Sequence, residues 1–369
     1  MSGLRHIEEP LKALNAVCPY DTMVPLEFPL RALRERASQG DWVLDPFCGR
    51  GTTNYAARLL GLPSVGVDSS PVAVALTRAK LADASTGSVV RCARQILDAM
   101  PPRITVPRGE FWERAFDPLV LSQVCWLRKD LIRECASESR ILLRAILLGA
   151  LHGPRTVSTP SHLSNQSPRT FAPKPDYAVR YWRRRRMRPP SVDILDVIRV
   201  RAMRYLTQRP GATCCNVVLG DSRDPAVFGD ERFRWVITSP PYYGMRTYIP
   251  DQWLRNWFLG GPANVTYRPP QREMSHRSPE VFINDLRLVW RNAAANASRD
   301  ARMVVRFGGI SDRDVDSRDI LKASIADSGW RLRTATSAGD ANRGRRQAAQ
   351  FSHGGPAPTE EHDFYAVRE

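Results

Sequence analysis

Short apolar runs bounded by turn residues alternate along this chain with stretches whose apolar positions recur at helical spacing. WVLDPF (42–47) and SVGVDS (64–69) are two such runs, and the segment 52–60 between them has helical character. Strand, helix and strand in this order predict a right-handed crossover between parallel strands. MPPR then breaks a helical segment near Met100. Helix-like segments follow through 119–151, then a polar passage rich in Pro and Arg, then one more helix. In that helix Leu195, Ile198, Ala202 and Tyr205 share a face suited to packing, while Arg199, Arg201 and Arg204 spread around the rest. Strand patterns resume at CNVVLGD (215–221), RWVITSP (234–240) and RMVVRFGGI (302–310), and HDFYAVRE closes the chain. Strands alternating with helices, interrupted once, predict an α/β sheet carrying an inserted module, with divisions at 1–100, 101–212 and 213–369.

Composition narrows the class. The 369 residues are 43% hydrophobic and 25% charged, which excludes disorder and leaves room for a large core. The longest nearly apolar run, 141–151, is interrupted by Arg144 and falls well short of the roughly 20 residues a membrane helix needs. Glu8 and Glu9 stand where a signal peptide would carry its apolar stretch, so a cytoplasmic, nucleoid-associated location and no membrane partner are expected. The seven cysteines form no CxxC pair and no Cys/His cluster, and adjacent Cys214 and Cys215 are too close for an ordinary disulfide. They are expected to be reduced core thiols, and no metal site is expected.

The formal net charge of +16 predicts attraction to polyanions, and its distribution sharpens that expectation. Residues 169–204 hold 11 Lys or Arg against 3 acids, so half of the excess lies in 36 residues centred on RYWRRRRMR. A localised patch of this kind suits nucleic acid better than a uniform bias would.

Candidate chemistry gathers at strand ends. DPFCGRGTT (45–53) follows the first strand and opens a helix, the place where open α/β sheets bind ligands. Gly49 and Gly51 allow a tight turn and close approach, but Asn54 stands where a dinucleotide fingerprint would want a third small residue. Asp68 closes the second strand, where a carboxylate can accept two ribose hydroxyls, and Asp221 closes the next, where an adenine amino group could be met. TSPPYYG (238–244) ends a further strand. Pro240 and Pro241 make the segment rigid and leave its carbonyls as acceptors, Ser239 adds a hydroxyl and Tyr242 a flat aromatic face, a set suited to an exocyclic amine on a base.

Together these residues resemble the S-adenosylmethionine-dependent DNA amino-methyltransferases, the group that modifies cytosine N4 or adenine N6. DPFCGRGTT is similar to the cofactor motif, GVDSSP to the ribose motif, GDSRD to the adenine-pocket motif and TSPPYY to the catalytic motif. MVPLEFP (23–29) resembles the segment covering the methionine end of the cofactor, and GRRQAAQF (344–351) a closing segment often seen in cytosine N4 members. The resemblance spans about 15–95 and 215–369. It implies a Rossmann-like class I methyltransferase sheet, mostly parallel and seven-stranded, with S-adenosyl-L-methionine as cofactor. It assigns cofactor contacts to Pro25, Asp45, Pro46, Phe47, Cys48, Gly49, Gly51, Thr52, Thr53, Asp68, Ser69, Asp221 and Ser222. Ser239, Pro240, Pro241 and Tyr242 become the catalytic residues. In the commonest arrangement the proline motif comes first, so the order here implies circular permutation, with the insertion in the place of a target-recognition region. Ser before the proline pair is typical of cytosine N4 enzymes, Asp or Asn of adenine N6 enzymes, so cytosine is the expected base.

On this reading Ser239 and the Pro240 carbonyl accept the two amine hydrogens, Tyr242 stacks on a flipped-out base, and positioning supplies most of the rate. Methylation at cytosine carbon 5 needs a Pro-Cys nucleophile, and no cysteine here follows a proline. In the insertion, Asn165, Gln166 and Arg169 are of the types that read base edges, while Arg183, Arg184, Arg185 and Arg186 suit phosphate contacts. Tyr181 and Trp182 suit either base stacking or buried packing. The expected activity is site-specific methylation of double-stranded DNA within a restriction–modification or defence system, with room for a cognate restriction endonuclease as partner. Adenine N6 methylation is the second reading. An RNA amino-methyltransferase comes third, since such enzymes usually carry Asp before the prolines and a separate N-terminal RNA-binding domain. An inactive DNA-binding protein is opposed by the intact Asp45, Gly49, Gly51, Asp68, Ser239 and proline pair.

Overall fold

A computed structural model describes residues 9–20, 24–153, 161–168, 173–244, 249–265, 274–310, 315–340 and 358–369. The strands are β1 (Trp42–Asp45), β2 (Ser64–Asp68), β3 (Cys215–Leu219), β4 (Phe233–Thr238), β5 (Ala297–Ile310), β6 (Trp330–Asp340) and β7 (Pro358–Arg368). They form one sheet in the order β3-β2-β1-β4-β5-β7-β6. The first five strands run parallel, and β7 lies antiparallel between β5 and β6. The α/β class and the seven-stranded, mostly parallel, Rossmann-like sheet are as expected. Of the seven strands, the edge strand β6 is the one not among those expected: residues 331–337 are almost all exposed.

Strand period two sorts the core onto two faces. Leu44, Val236, Met303 and Val305 meet Phe282, Leu286 and Trp290 of the helix Pro279–Ala295 and Ile320 of the helix Ser317–Ile325. Val43, Trp235, Ile237 and Val304 meet Phe28 and Leu33 of the helix Glu27–Arg34 and Ala57 of the helix Thr52–Leu59. Burial of each such Leu or Val side chain stabilises the fold by roughly 1.5–3 kcal/mol.

Between β2 and β3 the chain makes a run of helices, among them Pro118–Arg133, Glu138–Ala150, Pro175–Arg184 and Ile194–Tyr205. Asp117 and Asp193 accept backbone N–H bonds at the starts of two of them, and Pro118 pre-sets the first turn after Asp117. Their core also takes in Leu14 and Val17 from near the N-terminus and Trp253 and Trp257 from the helix Ile249–Phe258 that follows β4. Phe111 lies 4.9 Å from Trp253, and Trp112 lies 4.5 Å from Trp257. Ile198, Ala202 and Tyr205 are buried as their spacing predicts. Arg201 departs from the expected outer face: it is 5% exposed and donates to the Ser161 carbonyl at 2.8 Å.

Candidate active site

The glycine loop begins where β1 ends. Asp45 is 3% exposed, and its Oδ1 accepts from the Phe47 amide at 3.2 Å and from the Thr238 hydroxyl at 2.6 Å. Burial pushes this carboxyl up to about 7 against the hydrogen bonds of Thr238, Thr53 and Phe47. Gly49 and Gly51 sit at φ +51° and +75°, in the left-handed region that favours glycine. A Cβ on Gly51 would stand 2.7 Å from the Thr77 side chain. Gly51 leads directly into the helix Thr52–Leu59, whose first residues Thr52 and Thr53 are buried. Asn54, the residue out of keeping with a dinucleotide fingerprint, is fully buried over Gly66 of β2, where a Cβ would come within 2.8 Å of its Oδ1. The small residue demanded by this packing is on the strand instead of the helix.

Asp68 closes β2 half-buried, with Oδ2 accepting from the Gly49 amide and Oδ1 from the Ser70 amide, both at 2.8 Å. Burial raises it to about 6 despite these bonds. Each oxygen keeps acceptor capacity toward a pair of hydroxyls. Ser69 beside it is partly exposed. Ser222 donates to the Pro46 carbonyl at 2.6 Å and so ties the loop after β3 to the loop after β1. Asp221 is engaged by the Arg223 guanidinium, Nη2 to Oδ2 at 2.6 Å, and Arg223 also reaches Asp285. A contact from Asp221 to an adenine amine would therefore compete with this ion pair. Phe47 packs edge-on to Trp290 at 6.0 Å. Cys48 is buried beside Thr77, and burial pushes its thiol well above the usual range, in keeping with packing and not nucleophilic use. Pro25 stands just before the helix Glu27–Arg34 and accepts the Phe28 amide at 3.0 Å.

TSPP emerges from β4, the strand beside β1. Ser239 and Pro241 are partly exposed and Pro240 is buried. Tyr242 differs from its expected role as a stacking platform. It is 7% exposed, its ring meets Phe307 edge-on at 5.4 Å, and its hydroxyl donates to Glu361 Oε1 at 2.7 Å. Gly308 pairs with Glu361 across β5 and β7, and a Cβ there would stand 3.3 Å from the Tyr242 ring. Tyr242 is thus a buried wall beside the segment. Behind it, Arg306 and Asp363 form a buried pair with two bonds of 2.7 and 2.9 Å, and the Arg306 guanidinium lies 4.4 Å from the Phe28 ring centre.

Away from this site, the expected base-reading residues part company. Asn165 is fully buried and donates to the Arg114 carbonyl at 3.1 Å, which withdraws it from any DNA-facing surface. The Gln166 carbonyl accepts from the buried Trp182 indole, which settles Trp182 as packing. Arg169 lies outside the described residues, as do Met23 and 344–351. Arg183, Arg184, Arg185 and Arg186 are all exposed at the end of the helix Pro175–Arg184. Arg183 pairs with Glu110, and Arg185 lies 4.2 Å from the Tyr181 ring centre. Thr238, Glu361 and Arg50 are the site residues that sequence reasoning passed over. Thr238 precedes Ser239 and Arg50 separates the two glycines, so position alone could have flagged both, whereas nothing local marks Glu361.

A carboxylate at the end of β2, a glycine turn opening a helix and a buried Arg50 Nε with no hydrogen-bond partner suit a ligand bearing ribose hydroxyls and an anionic end. No helix among the described residues is long and apolar enough to cross a membrane. Residues 6–79 match the DNA methylase family of the N6/N4 type. The Type II methyltransferase M.BsoBI of Geobacillus stearothermophilus is 26% identical over 123 residues, covering 31% of this chain and 23% of that protein, so the match spans about a quarter of the relative's length. Among solved structures, the rRNA methyltransferase AviRa of Streptomyces viridochromogenes is similar at a TM-score of 0.36 and 16% identity, covering 100% of this chain and 96% of that one. TrmN of Thermus thermophilus gives a TM-score of 0.35 at 10% identity, covering 93% and 48%. Residues 6–79, which hold β1, β2 and the glycine loop, are thus DNA-methylase-like in sequence, and S-adenosylmethionine is the cofactor that this match calls for.

Proposed function

We propose that the chain methylates an exocyclic amine of a base in double-stranded DNA, with cytosine N4 as the target atom. One observation carries the reading: Asp45 in the glycine loop holds Thr238, the residue next to Ser239, so the donor loop and the amine-binding segment open side by side from neighbouring strands. S-adenosylmethionine supplies, when bound, a methyl group already activated by positively charged sulfur. The Ser239 hydroxyl accepts one amine hydrogen and the Pro240 carbonyl the other. The chain's contribution is therefore chiefly orientation. Asp68, Gly49, Gly51, Thr52 and Thr53 line the donor side.

The inserted helices, about 101–212, serve as the target-recognition region, with Arg184, Arg185 and Arg186 on phosphates. A place in a restriction–modification or defence system with a cognate endonuclease, and a cytoplasmic, nucleoid-associated location, belong to the same reading. Incubation with isotopically labelled S-adenosylmethionine and mixed-sequence duplex DNA, then digestion to nucleosides and mass spectrometry, tests the reading. Label in N4-methylcytosine is the expected result. Label in N6-methyladenine would overturn the choice of base, and transfer to RNA alone would overturn the substrate class.

A further inference from the structure

Four cationic side chains and one thiol are buried together beside the glycine loop. Lys80, Arg201, Arg255 and Arg50 are 1%, 5%, 5% and 8% exposed, and Cys18, whose thiol lies within the field of all four, is 1% exposed. Lys80 Nζ donates to Asn15 Oδ1 at 2.7 Å, Arg201 to the Ser161 carbonyl at 2.8 Å, and Arg255 to Gln252 Oε1 at 2.7 Å. Neutral acceptors thus hold three of the four. Arg50 has neither a hydrogen bond nor an ion pair among the described residues, and its Nε is buried. Burial pulls the guanidinium down to about 10 and the Lys80 ammonium well below its ordinary range. A buried cation with no counter-ion is strongly unfavourable, so the cluster is organised for an anion that arrives from outside the chain.

Placement identifies the anion. Arg50 stands between Gly49 and Gly51, whose left-handed backbone shapes the donor loop, and it faces Cys18, just ahead of the segment that leads to Pro25. We propose that Arg50, backed by Lys80, seats the carboxylate at the amino-acid end of the methyl donor, an inference that rests on S-adenosylmethionine being that donor. A guanidinium fork matches a carboxylate with two parallel bonds, and enclosure away from water strengthens them. The site thereby selects donors that keep their carboxylate.

Calorimetric titration of the full chain with S-adenosylmethionine, decarboxylated S-adenosylmethionine and methylthioadenosine reads this directly. The wild type should bind S-adenosylmethionine at least about tenfold more tightly than the decarboxylated form. Arg50→Met should abolish that preference by weakening only the carboxylate-bearing ligand, Arg50→Lys should restore part of it, and thermal unfolding of the ligand-free Arg50→Met protein should not be lowered. Equal binding of both forms by the wild type, or an intact preference in Arg50→Met, would overturn the assignment. So would a lower unfolding temperature with equal loss for all ligands, which marks a structural role, or weaker DNA binding with the preference intact, which puts a phosphate there. Absence of any S-adenosylmethionine binding by the wild type would overturn the donor itself.

Discussion

Asp45 and Thr238 share a 2.6 Å hydrogen bond that joins the end of β1 to the end of β4 beneath the site. Thr238 is fully buried, so the bond is shielded from water and rigid. Since the glycine loop begins at one partner and Ser239 follows the other, a displacement of either loop is transmitted to its neighbour.

The same pair sets a pH dependence. Asp45 in the folded chain titrates near 7 instead of 3.8, and Asp68 near 6, both raised by burial. Their protonated forms are favoured by folding, so this stabilisation is complete below the unfolded pKa and is lost as pH rises through about 6 to 7. Asp45→Asn mimics the protonated side chain. Its unfolding temperature relative to the wild type should therefore rise between about pH 5 and pH 8. A constant gap across that range, measured by thermal unfolding, would contradict the shift.

Ser239→Ala removes one of the two amine acceptors but no donor contact. Turnover should fall on the order of 100-fold, while calorimetric S-adenosylmethionine affinity stays within about twofold. Unchanged turnover would remove Ser239 from the chemistry.

Gly51→Ala forces a side chain into the left-handed region and onto Thr77. Destabilisation beyond about 1 kcal/mol in urea unfolding is expected, together with weaker donor binding. Thr77→Ser in the same chain should leave most of the cost, because it removes only the methyl group while the hydroxyl oxygen at 2.7 Å and the Cα at 2.9 Å stay, and the backbone conformation is still disfavoured.

Replacing Arg184, Arg185 and Arg186 with Gln should weaken DNA binding for every sequence alike. The slope of log affinity against log salt should become shallower by about 0.9 for each phosphate that is no longer neutralised. Titrations at several salt concentrations on two unrelated duplexes check both parts, and a change confined to one sequence would assign these residues to base readout.

Where pattern and chemistry are local, the sequence was a sufficient guide. The turn of Gly49 and Gly51, the strand-end Asp68 and the buried face of Ile198, Ala202 and Tyr205 follow from spacing and from what each residue type tolerates. The departures share a cause in contacts made far along the chain. Tyr242 looks like an exposed aromatic until Glu361, 119 residues later, meets its hydroxyl. Asn165 looks like a base reader until Arg114 offers it a carbonyl. Arg201 sits on a helix that seems half-solvated until 161–164 covers it. Strand β6 escaped because its apolar alternation is confined to Trp330 and Leu332, after which small polar residues of an exposed edge carry no pattern. The Asp221–Arg223 pair, by contrast, was within reach of local reasoning.

The position of the helical insertion governs how the chain emerges from the ribosome. β1 and β2 can pair early, but their outer neighbours β4 and β3 are encoded beyond the insertion, and the insertion's own core waits for Trp253 and Trp257. At roughly 5–20 residues per second, the half-made sheet has unsatisfied edges for on the order of ten seconds. Nascent-chain chaperones should therefore raise the yield of this protein more than they would for one whose sheet is written without interruption.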